Sequence, residues 1–136
     1  MGIDTISVKS PIHEHYQGMV WDVKMYNILG RPKITLNYHS KVAKNYANNM
    51  RLFKATSMGA YLVTGNNDNL ADIFIPGKEV VAYDNINNCM KLIKYYLDHN
   101  ESRRDVALAG QQRAINSHNY YGRMRELLGI FTSYLN

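Results

Sequence analysis

From Met19 to Gly30 the chain reads MVWDVKMYNILG. Val20, Trp21, Met25, Ile28 and Leu29 recur there at helical spacing, and Gly30 followed by Pro32 closes the pattern. KITLN (33–37) predicts a short strand, bounded by Pro32 and by the polar connection YHSKVAKNYANN (38–49), which has room for a helical turn. Asn48 or Asn49 then offers a side-chain oxygen to the free N–H groups of a helix over 50–58. In that helix Met50, Leu52, Phe53, Ala55 and Met58 form the packed side, and Gly59 suits the residue just past its end. AYLVT (60–64) is an unbroken apolar run, the pattern of a strand covered on both faces. GNNDN is a loop, LADIF a short helix, PG a turn and EVVAY (79–83) a third strand.

From residue 85 onward the pattern is helical throughout. Asn85 or Asn87 can cap INNCMKLIKYYLDHN, where Met90, Ile93 and Leu97 recur at helical spacing. A second helix runs from Glu101 to Asn116 and a third through NYYGRMRELLGIFTSYL. Strands alternating with helices predict an α/β layer with a short parallel sheet of about three strands and several C-terminal helices. Residues 1–17, with Pro11 and no clear period, read as an N-terminal arm, and 18–136 as the domain. So thin a sheet leaves an open edge, from which a homo-oligomer is expected.

The 136 residues suffice for one domain, and 46% hydrophobic with 20% charged residues is an ordinary globular balance. No run approaches a membrane span, and the first residues lack the apolar stretch of a secretory leader. MGID lacks the Ser or Thr at position six that a myristoylation start requires. The single cysteine, Cys89, fits a reducing compartment and a cytoplasmic protein, and its helical setting beside Met90 reads as a small buried side chain. A net charge of +5 favours an anionic partner, but the Lys and Arg residues are spread too thinly for a nucleic-acid face. Arg103-Arg104 reads as an exposed helix start.

Ligands of open α/β sheets bind outside the C-terminal ends of the strands. The loops 38–49 and 65–69 leave the sheet at that edge, and the first leads to the N-terminus of the 50–58 helix. Free N–H groups and the helix dipole attract a phosphate there, and Arg51 adds a cation able to grip it bidentately. Arg51 reads equally as a solvated first-turn residue. His39, just past the first strand, is placed to bond a phosphate or sugar hydroxyl, or a local backbone group. His13-Glu14-His15 could meet a metal on an extended chain, but no further ligand follows at a recognisable spacing, so no metal is expected. His118 with Tyr120 reads as the joint between the last two helices. Tyr95, Tyr96, Tyr120, Tyr121 and Tyr134 fall at helical spacing and read as core and rim packing.

At these residues the chain resembles the CgeB-like (spore-protein type) glycosyltransferases. The resemblance runs from about Gly18 to Leu128 and rests on NNMRLF, on GA before a strand, on PGKEVV, and on the His-x-Tyr and Arg-Met elements of the tail. It implies the C-terminal, donor-binding half of a GT-B transferase, a partial Rossmann-like three-layer domain. The implied ligand is a nucleotide diphosphate sugar as donor substrate, with no cofactor. Asn49 and Arg51 would lie near its diphosphate, with Asn48 beside them, and Gly59 would allow close helix–strand packing. The loops after Asn37 and Thr64, with His39, would border sugar and nucleoside.

Two departures from the family pattern matter. Lys54 stands where the family motif reads Phe-Glu-Ala, and lysine cannot accept the ribose hydroxyl bonds that a glutamate takes. It could reach the diphosphate instead, mark a lost donor site, or be an ordinary exposed residue. The acceptor-binding N-terminal half is absent from the sequence, so the chain alone is not expected to glycosylate anything. It reads as a fragment, or as a subunit completed by a separate acceptor-binding chain. The alternative is a catalytically inactive module of the same ancestry that self-associates.

Overall fold

The computed structural model describes residue 7 and residues 9–39 and 44–135. The possible helical turn between strand and helix falls partly on 40–43, outside the described residues, as does the chain start. A 3-10 turn at His13–His15 precedes α1 (Asp22–Leu29), β1 (Thr35–Asn37), α2 (Met50–Ser57), β2 (Leu62–Gly65), α3 (Leu70–Ile73) and β3 (Val81–Tyr83). Three helices complete the order: α4 (Ile86–Asp98), α5 (Asn100–Ser117) and α6 (Tyr120–Leu135). The sheet has order β1-β2-β3 and both pairings are parallel. The expected α/β architecture is therefore present, consistent with a partial Rossmann-like domain. The strands start one or two residues later than their apolar runs.

The unbroken apolar run before Thr64 has the predicted cause. Leu62 faces a cluster with Leu52, Ala55, Leu70, Phe74 and Ala114, while Tyr61 and Val63 face a second one with Val81, Cys89, Val106 and Ala107. Successive strand residues point to opposite faces, so burial on both sides requires apolar residues at every position. Helix α5 contributes to both clusters. Gly110 lets it pass the chain before β3, since a Cβ there would lie 2.2 Å from the Glu79 carbonyl oxygen.

α2 is closed at both ends by local chemistry. Asn49, rather than Asn48, caps it, its Oδ1 accepting the Leu52 N–H at 3.1 Å. At the other end Gly59 has φ +73, its N–H bonds the Thr56 carbonyl, and the Ala60 N–H bonds the Ala55 carbonyl. This is the paired C-terminal closure that a glycine in the left-handed region permits.

Several packing expectations are corrected. Met50 and Met58 are exposed, while α2 buries the expected Leu52 and Ala55 together with Thr56. Met90 and Leu97 are exposed too; α4 packs through Cys89, Leu92, Ile93 and Tyr96. α1 buries none of its residues, and Trp21 stays 67% exposed. The periodicity was correct in each case, but it does not say which side of an amphipathic helix finds a neighbour.

Arg103 is buried, not exposed. Its guanidinium donates to the Tyr96 and Leu97 carbonyls and to Asn100 Oδ1, closing the C-terminal end of α4. His118 joins α5 to α3 rather than to Tyr120: its Nε2 donates to the Ile73 carbonyl at 2.8 Å, and its ring meets Phe53 and Phe74. Tyr120, Tyr121 and Tyr134 are exposed, so packing within the chain does not explain them. Cys89 is buried as expected, and burial raises its pKa, which keeps it a thiol. No helix among the described residues is long and apolar enough to cross a membrane.

Candidate functional site

The register of the sheet builds the site. Asn37, the last residue of β1, lies beside Thr64 of β2, and both side chains are fully buried. A buried amide and hydroxyl must find partners. Asn37 Nδ2 lies 3.2 Å from both Thr64 Oγ1 and His39 Nε2, and His39 Nε2 lies 3.0 Å from the same hydroxyl. Asn37 Oδ1 accepts a bond from Asn49 Nδ2 at 3.0 Å, which ties the end of β1 to the start of α2.

Amide orientations follow from one fixed donor. The Leu52 backbone N–H can only donate, so the Asn49 atom facing it is oxygen and the Asn49 nitrogen faces Asn37. Asn37 must then accept through Oδ1 and present its NH2 group to His39 and Thr64. His39 Nε2 meets that NH2 group and the Thr64 hydroxyl, accepting from them in one tautomer and donating to Thr64 Oγ1 in the other. Nδ1 is buried and has no hydrogen-bond partner among the described residues. Burial also lowers the His39 pKa from its ordinary 6.5, favouring the neutral ring.

A buried acceptor lies close by. Asn67 Oδ1 has no hydrogen-bond partner among the described residues, and a Cβ on Gly65 would sit 3.3 Å from it and 3.9 Å from His39 Cδ2. The glycine thus leaves room for both side chains. The loops themselves are stitched together: Asn69 bonds the backbone of Ala47 in both directions, and Asn45 donates to Asp68. Asn66 donates to Asp84 after β3. The strand ends therefore present a fixed polar edge holding two buried polar atoms, His39 Nδ1 and Asn67 Oδ1, with no hydrogen-bond partner among the described residues.

The structure brings His39, Asn49 and Thr64 together, with Arg51 exposed on the first turn of α2. Asn48 is exposed just before the cap. Lys54 sits one turn further on, its Nζ 5.7 Å from the centre of the Tyr26 ring of α1, a cation–π contact. Arg51 and Lys54 border a groove of about 680 Å³ between Trp21, Met25, Leu36 and the start of α2, within the size range of small-molecule sites. Gly59 stands at the opposite end of α2, against Gln111 of α5. No group of three or more His, Cys, Asp or Glu able to hold a metal occurs among the described residues.

Asn37 and Asn67 were missed by sequence reasoning. Asn37 carried a usable signal, since it ends an apolar strand at the edge where ligands bind. Asn67 carried none within its polar loop.

The sheet ends in a polar edge beside a helix N-terminus, the side on which open α/β sheets bind their ligands. The chain belongs to the glycosyl transferase-like family, whose sequence profile matches residues 7–129. Neither the curated proteins nor the solved structures contain a match to it.

Proposed function

We propose that the chain is the donor-binding half of a CgeB-like, GT-B-type sugar transferase and takes a nucleotide diphosphate sugar at the C-terminal edge of its sheet. The observation that carries this reading is His39 Nδ1, buried beside the N-terminus of α2 with no hydrogen-bond partner among the described residues. Such a buried polar atom is destabilising until a partner meets it. A ligand hydroxyl supplies that partner in either tautomer, a phosphate oxygen in the Nδ1–H one, and Asn67 Oδ1 accepts from a hydroxyl in return. The diphosphate takes the first-turn N–H groups that Asn49 does not cap, with Arg51 as counter-charge.

In this role the protein positions the donor and stabilises the negative charge that builds on the leaving diphosphate as the glycosidic bond breaks. Metal is not required by that arrangement. The acceptor and any catalytic base come from a separate acceptor-binding half. Lys54, held over Tyr26, does not take the place of the family's glutamate toward the ribose.

Calorimetric titration with UDP, GDP and their sugar conjugates tests the reading, on the wild type, His39→Ala and Arg51→Ala. Binding of a diphosphate that weakens at least about tenfold in each variant is expected, one tenfold step being about 1.4 kcal/mol. No binding by the wild type, or binding that neither substitution weakens, overturns it.

A further inference from the structure

A charged imidazole has two N–H donors and needs an acceptor for each. The fold supplies His39 with one. Thr64 Oγ1 lies 3.0 Å from Nε2 and can accept from it, while Nδ1 is buried with no hydrogen-bond partner among the described residues. The carboxylates of the two neighbouring loops are each bonded by an asparagine instead, Asp68 by Asn45 and Asp84 by Asn66. Asn67 Oδ1 lies on the other side of Gly65 and has no partner either.

The other charges at this edge are cationic. Lys44 and Arg51 are exposed, Lys54 is half-buried against Tyr26, and the N-terminus of α2 adds the positive end of its dipole. Among the phenols, Tyr38 is exposed beside His39 in the chain. Tyr83 donates to the Asn37 carbonyl at 3.4 Å, and burial raises its pKa, which keeps it neutral. His39 is thus buried, shares its edge with cations and lacks a second acceptor. The free protein holds it neutral, in keeping with a pKa that burial lowers from 6.5.

A diphosphate at the N-terminus of α2 reverses these conditions. Its oxygens accept only and carry negative charge, so one placed against Nδ1 brings the missing acceptor and a counter-charge together. A sugar hydroxyl in the same place brings no charge and leaves the ring neutral. We infer that His39 takes up a proton when the donor binds and grips the diphosphate as an imidazolium, so that the site holds a nucleotide diphosphate sugar more tightly as pH falls. This rests on the donor-binding reading above and adds the charge state in which the histidine acts. The proton comes from solvent, giving Nε2–H to Thr64 Oγ1 and Nδ1–H to the phosphate oxygen. Asn37 keeps an acceptor for its NH2 group, which lies 3.2 Å from the same hydroxyl. Binding raises the ring's pKa above its value in the free protein, so protons are taken up between the two values and affinity rises as pH falls through that window.

Calorimetric titration of the full chain with UDP-glucose and GDP-mannose, between about pH 8 and about pH 6 and in buffers of different ionisation heat, tests this. Each phosphate of these ligands is doubly substituted and does not titrate in that range, so any proton taken up belongs to the protein. A dissociation constant at least about threefold lower at the acid end is expected, with about half a proton taken up near the middle. His39→Gln should bind more weakly and show neither effect. Nitrogen NMR of the wild type reads the ring without any substitution: both ring nitrogens should carry protons in the saturated complex. Binding without proton uptake, a neutral ring in that complex, or an acid-tightened affinity that persists in His39→Gln overturns the inference and leaves the donor-binding reading standing. Absence of binding by every UDP and GDP conjugate overturns both.

Discussion

The backbone N–H of Leu52 is linked to His39 through two asparagines. Each has one orientation left once its neighbour is fixed: Asn49 accepts from Leu52 and donates to Asn37, and Asn37 turns its NH2 group toward His39 Nε2 and Thr64. A helix end thus dictates which group of a buried amide faces the imidazole. The other ring nitrogen, Nδ1, is buried with no hydrogen-bond partner among the described residues.

Asn49 acts at both ends of its amide, so Asn49→Ala removes the cap and leaves buried Asn37 Oδ1 without its donor. A loss of about 2 kcal/mol in urea unfolding is expected. Asn49→Asp keeps the cap and loses only the donor, and should fall between wild type and alanine.

The depressed His39 pKa sets a pH dependence. Below 6.5 the unfolded chain takes up a proton that the folded chain still refuses, so stability falls as pH drops through that value toward the folded pKa. Above 6.5 both states are neutral at this residue and the contribution is flat. Urea midpoints across this range should decline more steeply in the wild type than in His39→Gln, and equal slopes would contradict it.

Gly110→Ala should be among the most damaging single-methyl additions in the chain. The new carbon would lie 2.2 Å from the Glu79 carbonyl oxygen, so α5 or the β3 approach must shift, costing about 2–3 kcal/mol. Thermal unfolding checks it. Gly129→Ala, where an added Cβ meets nothing, should not lower the midpoint.

Arg103→Ala should lose about 2 kcal/mol, since the part-buried hydrogen bonds to the carbonyls at the end of α4 lose their charged donor. Arg103→Lys should recover only part of it. An ammonium is a single point and does not span the Tyr96 carbonyl and Asn100 Oδ1 as the guanidinium fork does. Chemical denaturation of the three proteins side by side measures both effects.

The elements were legible where a local cause sufficed. Asn49 and Gly59 bracket α2 through hydrogen bonds reaching three to five residues, so the residue types alone announce them. The run before Thr64 announced burial on both faces. The helix faces were less legible: Met50, Met90 and Tyr120 lie on apolar stripes that no neighbour within the chain covers. His39 and Thr64 were readable as candidates because each follows or ends a strand. That they share a hydrogen bond was not, since 25 residues separate them.

By itself the sequence determined the α/β order, the helix caps, the two-sided burial of β2 and the likeness to a sugar-transferase family. Each rests on interactions within a turn or two, or on patterns that repeat along the chain. Only the tertiary structure decided that Asn37 lies beside Thr64, that Arg103 closes α4, that Lys54 rests on Tyr26, and that His39 Nδ1 is buried with no hydrogen-bond partner among the described residues. Those outcomes depend on strand register and helix docking, where small shifts of one element against another exchange one set of partners for the next. No local pattern encodes such a shift, because its energy belongs to contacts between residues far apart in the chain.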